Sequence, residues 1–269
     1  MAEAAHRGDK WNAGDSYEPY VGRWSRLVAA DLVDWLAVGK GARWLDIGCG
    51  TGALSQTVLE RASPCEVIGV DASEEFLGFA RDSIRDPRIE FRMGDACASP
   101  VEERAFDAAV SGLMLNFVPE PAKALAQMRT AVRPGGIVSV YVWDYAGEMQ
   151  LMRRFWNAAA ALDPAARELD EGRRFPICKP ESLRALFVNA GLGDIRDRAI
   201  DVPTIFRDFD DYWSPFLGGQ GPAPGYCISL PAAKREALRE KLRTELPALP
   251  DGSIHLIARA FAVRGVRPA

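Results

Sequence analysis

The chain has 269 residues, 48% hydrophobic and 26% charged, with 33 basic residues against 37 acidic ones and a net charge of −4. The apolar share is that of a globular protein with a full core, and the near-balanced charge argues against a general nucleic-acid-binding surface. Two histidines leave no His-rich metal cluster, and no apolar run is long enough to span a membrane.

Residues 1–22 are polar and aromatic, with Trp11, Tyr17 and Tyr20. The spacing of Trp24, Leu27, Val28, Leu32, Trp35 and Leu36 places them on one face of a helix from about Arg23 to Leu36, which Gly39 and Gly41 end. The stretch RWLDIGCGTGAL (43–54) follows. A short apolar strand carries Asp46 near its end, then glycines at 48, 50 and 52, then a helix near 53–62. A strand, a glycine turn and a helix in that order put backbone N–H groups at the C-terminal edge of a parallel sheet, where open α/β sheets bind nucleotide-like ligands.

The next strand, EVIGVD, ends at Asp71, and a helix is expected over 74–85. An acid there can accept the two hydroxyls of a ribose, or, with Ser73, cap the helix that follows; one position can do both. A third strand, IEFRM (89–93), runs into Gly94, Asp95 and Ala96. A fourth, FDAAVS (106–111), ends at Ser111 and opens into Gly112–Phe117; a helix near 120–131 follows. Arg133-Pro134-Gly135-Gly136 is expected to turn into a fifth strand, IVSVYVW. Strands alternating with helices imply a doubly wound parallel sheet covered on both faces.

Beyond it, a helix is expected from Met149 to Leu162, then a solvated charged segment, LDEGRRFPICKP, then a helix from Pro180 that Gly191 ends. A sixth strand (194–206) and a last one (253–263) are separated by an aromatic cluster (Phe206, Phe209, Tyr212, Trp213, Phe216), a flexible run GGQGPAPG, and a helix from Pro231 to Glu245 with Leu238, Leu242 and Leu246 on one face. Such an insertion, about 206–250, reads as a lid or binding loop. The expected organisation is one domain over 1–269: an N-terminal cap and helix (1–38), a cofactor-binding core (40–145) and a C-terminal half (146–269) that carries the lid. Five dispersed cysteines (49, 65, 97, 178 and 227) read as free thiols of a reducing cytoplasm, and the N-terminus has no signal-type apolar core.

The register D-x-G-x-G-x-G at 46–52 resembles motif I of the class I S-adenosylmethionine-dependent methyltransferases. Ser55 stands where a dinucleotide-binding turn would place its third glycine. The resemblance covers roughly residues 40–145, and the chain is similar to the small-molecule branch of the ubiquinone/menaquinone-biosynthesis type (methyltransferase type 11). It implies a Rossmann-like seven-stranded sheet with an antiparallel seventh strand beside the sixth. It also implies S-adenosyl-L-methionine as cofactor, with S-adenosyl-L-homocysteine as product, and no metal. In that family Asp46 would orient the glycine loop, Gly48 and Gly50 would lie against the methionine part, and Asp95 with the next N–H would meet the adenine. The implied cofactor-binding set is Tyr20, Arg23, Asp46, Gly48, Cys49, Gly50, Asp71, Ala72, Asp95, Ala96 and Ser111. Cys49 reads as a packing residue and not as a nucleophile.

Methyl transfer from a sulfonium is mostly a matter of orientation and needs no protein nucleophile. Tyr20 could face the sulfonium by its ring and Arg23 the cofactor's carboxylate, or both could simply pack the start of the first helix. Asp144 and Tyr145, directly after the fifth strand, are the candidates for a base. His255, mid-strand, reads as structural. The chain has Leu115-Asn116-Phe117-Val118-Pro119 where amino-methyltransferases of DNA, RNA or glutamine carry a D/N-P-P-Y/F element. It also lacks the paired glutamates of the protein arginine type and the metal-binding acids of the catechol type. A small-molecule acceptor is therefore expected, with no nucleic acid partner, and the aromatic content of the insertion suggests that it is apolar or aromatic. A non-catalytic cofactor-binding protein and, further off, a nicotinamide-dependent oxidoreductase are the alternatives.

Overall fold

A computed structural model describes residues 21–98, 101, 103–219 and 221–269. Trp11, Tyr17 and Tyr20 lie outside the described residues. The chain divides into two compact units: a larger one of Ser25–Val142, Ile177–Ile200 and Ala260–Ala269, and a smaller one of the segment up to Trp24, Trp143–Pro176 and Asp201–Arg259.

Seven strands form one sheet in the order β3-β2-β1-β4-β5-β7-β6. Its strands are β1 (Arg43–Ile47), β2 (Glu66–Asp71), β3 (Ile89–Met93), β4 (Phe106–Gly112), β5 (Val132–Trp143), β6 (Gly193–Phe206) and β7 (Ile254–Val266). The first five pair in parallel. The seventh runs antiparallel to β5: Gly135 N–H donates to the Arg267 carbonyl at 2.8 Å, whereas just past the far end of β5 the Asp144 N–H donates to the Arg259 carbonyl at 2.9 Å. The expected fold class stands. Strand order reverses at β1, between β2 and β4, and the crevice at such a switch point is where this architecture binds ligands.

Helices α1 (Arg23–Leu36), α2 (Ala53–Arg61), α3 (Glu74–Ser83), α4 (Pro121–Ala131) and α7 (Pro180–Asn189) begin and end within about two residues of their expected bounds. One α1 position differs: Leu27 is 43% exposed while Val28, Leu32 and Leu36 are buried. Leu27 sits at the edge of the apolar stripe, and single exposed leucines are normal.

Arg133-Pro134-Gly135-Gly136 is strand and not turn, a correction to the expectation. Phe106 pairs with Val132 and Ala108 with Ile137, so a bulge absorbs the extra residues. Gly135 takes the positive φ of 80° this requires, and Gly136 accepts the Arg267 N–H at 2.9 Å.

The smaller unit gathers α5 (Gln150–Leu162), the short α6 (Glu171–Arg174) and α8 (Phe209–Trp213), α9 (Pro222–Ser229) and α10 (Ala232–Glu245). Phe155 on α5 stacks on Phe216 at 4.4 Å and meets Trp156 edge-on at 5.3 Å, and the Tyr212 hydroxyl donates to the Leu151 carbonyl at 3.0 Å. Leu238 and Leu242 are the buried face of α10. Two expectations are corrected here. Part of the run GGQGPAPG is helical, because Gly221 turns the chain at φ 82° and Pro222 starts α9 with its φ already set. The segment LDEGRRFPICKP is not a fully solvated loop either. Arg153 binds Asp170 through two nitrogens at 3.1 and 2.5 Å, and Trp156 Nε1 donates to the buried Glu171 carboxyl.

Candidate functional site

The glycine loop leaves β1 under backbone control. Gly48 and Cys49 N–H both donate to the Val70 carbonyl, at 2.7 and 3.1 Å, and Gly52 N–H closes a turn onto Cys49 at 2.8 Å. Gly48, Gly50 and Gly52 all hold positive φ, at 71, 53 and 83°, which side chains resist. They differ in what surrounds them. A Cβ on Gly48 would overlap Cβ and Cγ of Met114, whereas one on Gly50 would meet nothing within 4 Å. Gly48 is thus a packing glycine, and Gly50 turns an open face outward.

Asp71 ties the loop to β2. Its Oδ2 accepts the Gly50 N–H at 2.8 Å and its Oδ1 the Ser73 N–H at 2.9 Å. Ser73 in turn caps α3 through the Phe76 N–H. The anticipated cap is therefore Ser73, with Asp71 holding the loop that precedes it. Burial raises the Asp71 pKa above the ordinary carboxylate range, opposed by hydrogen bonds from the Ser73, Gly50 and Ala72 N–H groups.

Asp46 is buried, accepts the Ser55 hydroxyl at 2.7 Å through Oδ2, and has no partner at Oδ1. Its pKa is pushed up to about 7, chiefly by burial and in part by Asp71, against the Ser55 hydrogen bond. Cys49 lies over Gly69, and burial, reinforced by Asp46 and Asp71, pushes its thiol well above the usual range, which keeps it protonated and a poor nucleophile.

Two further strand ends complete the edge. Gly94 N–H donates to the Asp71 carbonyl at 2.9 Å, and the exposed Asp95 accepts the Cys97 N–H at 2.8 Å, with Ala96 half-buried between them. At the end of β4 the Ser111 hydroxyl is buried without a partner. The chain then takes a positive φ of 60° at Leu113, whose N–H bonds the Tyr141 carbonyl at 2.8 Å, and sets Met114 against Gly48. Asn116, in the 3-10 turn Leu115–Phe117, is buried with neither amide atom bonded. In the sequence Asn116 stands out only as part of the segment after β4, since its missing partners are visible only in three dimensions.

Asp46, Gly48, Cys49, Gly50, Asp71, Ala72, Asp95, Ala96 and Ser111 thus share the C-terminal edge of β1 to β4. Arg23, Asp144 and Tyr145 belong to the smaller unit. The Arg23 guanidinium lies 4.3 Å from the Trp24 ring centroid and 5.0 Å from that of Phe206, and donates to Asp211 at 3.1 Å. Asp144 accepts the Gly147 and Glu148 N–H groups, both at 2.9 Å, one on each carboxylate oxygen. The Tyr145 ring packs 5.8 Å from Phe175. His255 Nε2 is 3.2 Å from the Ser253 hydroxyl. Among the described residues no group of three or more His, Cys, Asp or Glu is placed to hold a metal ion. Nor is any helix among them long and apolar enough to cross a membrane.

A glycine loop held to the acid of the next strand lies at the switch point of this sheet, and the fold is similar to that of methyltransferases of known structure. Residues 45–140 match the family model described as a methyltransferase domain. It is 38% identical over 114 residues to a demethylmenaquinone methyltransferase of Renibacterium salmoninarum, which covers 42% of this chain and 45% of that one. It is 27% identical over 163 residues to a trans-aconitate 2-methyltransferase of Variovorax paradoxus, 61% of this chain and 58% of the relative. Among solved structures it is similar to phosphoethanolamine N-methyltransferase 2 of Haemonchus contortus in complex with S-adenosyl-L-methionine, at TM-score 0.60 and 18% identity over 95% of this chain and 56% of that one. The chain spans about a third to three fifths of the length of the first curated relatives it matches.

Proposed function

We propose that this chain transfers a methyl group from S-adenosyl-L-methionine to a small-molecule acceptor. The observation that carries the reading is the Asp71–Gly50 bond at the switch point, together with the methyltransferase domain over 45–140. The residues fit the cofactor on their own terms. Gly50 offers backbone with no Cβ and no neighbour on that side, so a ligand can approach closely. Asp71 stands beside that opening with acceptor capacity left on its oxygens, suited to ribose hydroxyls. When bound, the cofactor supplies a sulfonium methyl that an acceptor takes by in-line displacement. The chain's own part is to bind and orient, which is where most of the rate of such a reaction comes from. The apolar or aromatic character of the acceptor is part of this proposal, supported by the aromatic content of residues 206–226.

The test is release of S-adenosylhomocysteine from S-adenosylmethionine, followed by mass spectrometry across matched panels of aromatic, apolar and small polar acid acceptors. Turnover with aromatic or apolar acceptors is expected. Turnover confined to small polar acids would remove the acceptor assignment, and tight cofactor binding without turnover on any panel would favour a non-catalytic role.

A further inference from the structure

Asn116 is 5% exposed, yet neither its Oδ1 nor its Nδ2 has a hydrogen-bond partner. No other side-chain amide among the described residues is buried with both atoms bare. A buried amide without partners is destabilising, and an apolar side chain of similar shape would serve the fold better. The turn that carries it is held in place from two sides. Leu113 takes a left-handed φ of 60°, and Met114 lies against Gly48 of the glycine loop. Unusual backbone at the end of β4, followed by an unsatisfied buried amide, calls for an explanation, and a ligand group is one that satisfies both atoms. Ser111, near the end of β4, has a buried hydroxyl that is also unpartnered.

We propose that Asn116 recognises a neutral group of the methyl acceptor that both donates and accepts a hydrogen bond, such as a hydroxyl or a carboxamide. The inference rests on the methyltransferase reading above and names the acceptor chemistry of that site. The donor and acceptor count decides the class of group. A carboxylate only accepts, so it would leave Asn116 Oδ1 bare. An ammonium only donates, so it would leave Nδ2 bare. A hydroxyl or carboxamide satisfies both atoms. Asn116 is thus a specificity-determining residue that discriminates by polarity without a charge of its own, and its recognition does not titrate.

The test compares the protein with its Asn116→Leu variant in three measurements. The melting temperature of the free variant should be equal or higher, because no hydrogen bond is lost. The Kd for S-adenosylhomocysteine by calorimetry should stay within about twofold. Saturation-transfer NMR on the S-adenosylhomocysteine complex should show hydroquinone and benzamide binding to the unaltered protein, benzoate and benzylammonium binding at least tenfold more weakly, and the first two lost from the variant. The proposal is overturned if the variant melts several degrees lower, which would mark a structural hydrogen bond. It is overturned equally if hydroquinone and benzamide fail to bind the unaltered protein or bind the variant as well. A tenfold loss of S-adenosylhomocysteine affinity in the variant would make Asn116 a cofactor residue and leave the methyltransferase reading intact. Failure of the unaltered protein to bind S-adenosylhomocysteine would remove that reading itself.

Discussion

The Asp71 carboxylate accepts the backbone N–H of Gly50 at 2.8 Å, so the acid at the end of β2 also fixes the turn after β1. One side chain thereby sets both the shape of the glycine loop and the acidic edge beside it. Replacing Asp71 by alanine removes the hydrogen bonds to both Gly50 and Ser73. The affinity for S-adenosylhomocysteine, measured by calorimetry, is expected to fall by at least about tenfold, the equivalent of about 1.4 kcal/mol. Unchanged affinity would take Asp71 out of the site.

Gly48 and Gly50 should respond differently to alanine. At Gly48 the new methyl meets the body of the Met114 side chain as well as a φ of 71°. A stability loss of about 1–3 kcal/mol in urea unfolding is expected. At Gly50 the methyl enters open space at a φ of 53°, so the fold should lose only about 1–2 kcal/mol while ligand affinity drops steeply, because the methyl occupies the approach to the loop. Similar ligand affinity in the Gly50→Ala variant and the unaltered protein would show that the open face is not the ligand's.

Burial raises two carboxyls far above their ordinary values, Asp46 to about 7 and Glu171 to about 8. Between about pH 4 and each folded pKa, the native state keeps a proton that the unfolded chain has released. The contribution is therefore fully present below about pH 4 and is lost as pH rises, at about 1.4 kcal/mol per pH unit for each group. Glu171→Gln keeps an acceptor for Trp156 Nε1 and has no proton to lose. Its melting temperature should gain on that of the unaltered protein steadily from pH 4 to pH 8. Parallel curves of melting temperature against pH would contradict this.

Asp144 holds the turn after β5 with both carboxylate oxygens. Asp144→Ala is expected to cost about 1–2 kcal/mol in urea unfolding, as loss of a helix cap does, and Asp144→Asn, which keeps one acceptor, should fall between. If the alanine variant is as stable as the unaltered protein, the turn does not depend on this side chain, and a role at the reacting atoms becomes the better reading.

The sheet was legible because β1 to β4 are short strands that run into Gly48, Asp71, Gly94 and Gly112, and helices alternate with them. Less legible was whatever depends on partners distant in sequence. Arg133-Pro134-Gly135-Gly136 has the composition of a turn and becomes strand only because Arg267 pairs with Gly135 and Gly136. Glu171 reads as a solvated charge until Trp156, fifteen positions earlier, is seen to bond it. Gly218–Gly225 looks like a flexible run because three of its glycines mask a proline that starts a helix. The acids and glycines of the candidate site could be placed at the sheet edge in advance, since strand ends and turns are local. The missing partners of Asn116 could not, because absence of a neighbour is a property of packing.

The central claim, that the glycine loop serves S-adenosylmethionine, is tested most directly by calorimetric titration of the protein with S-adenosylhomocysteine and, separately, with NADH. The account predicts saturable one-to-one binding of S-adenosylhomocysteine and none of NADH. Binding of NADH without binding of S-adenosylhomocysteine would contradict it.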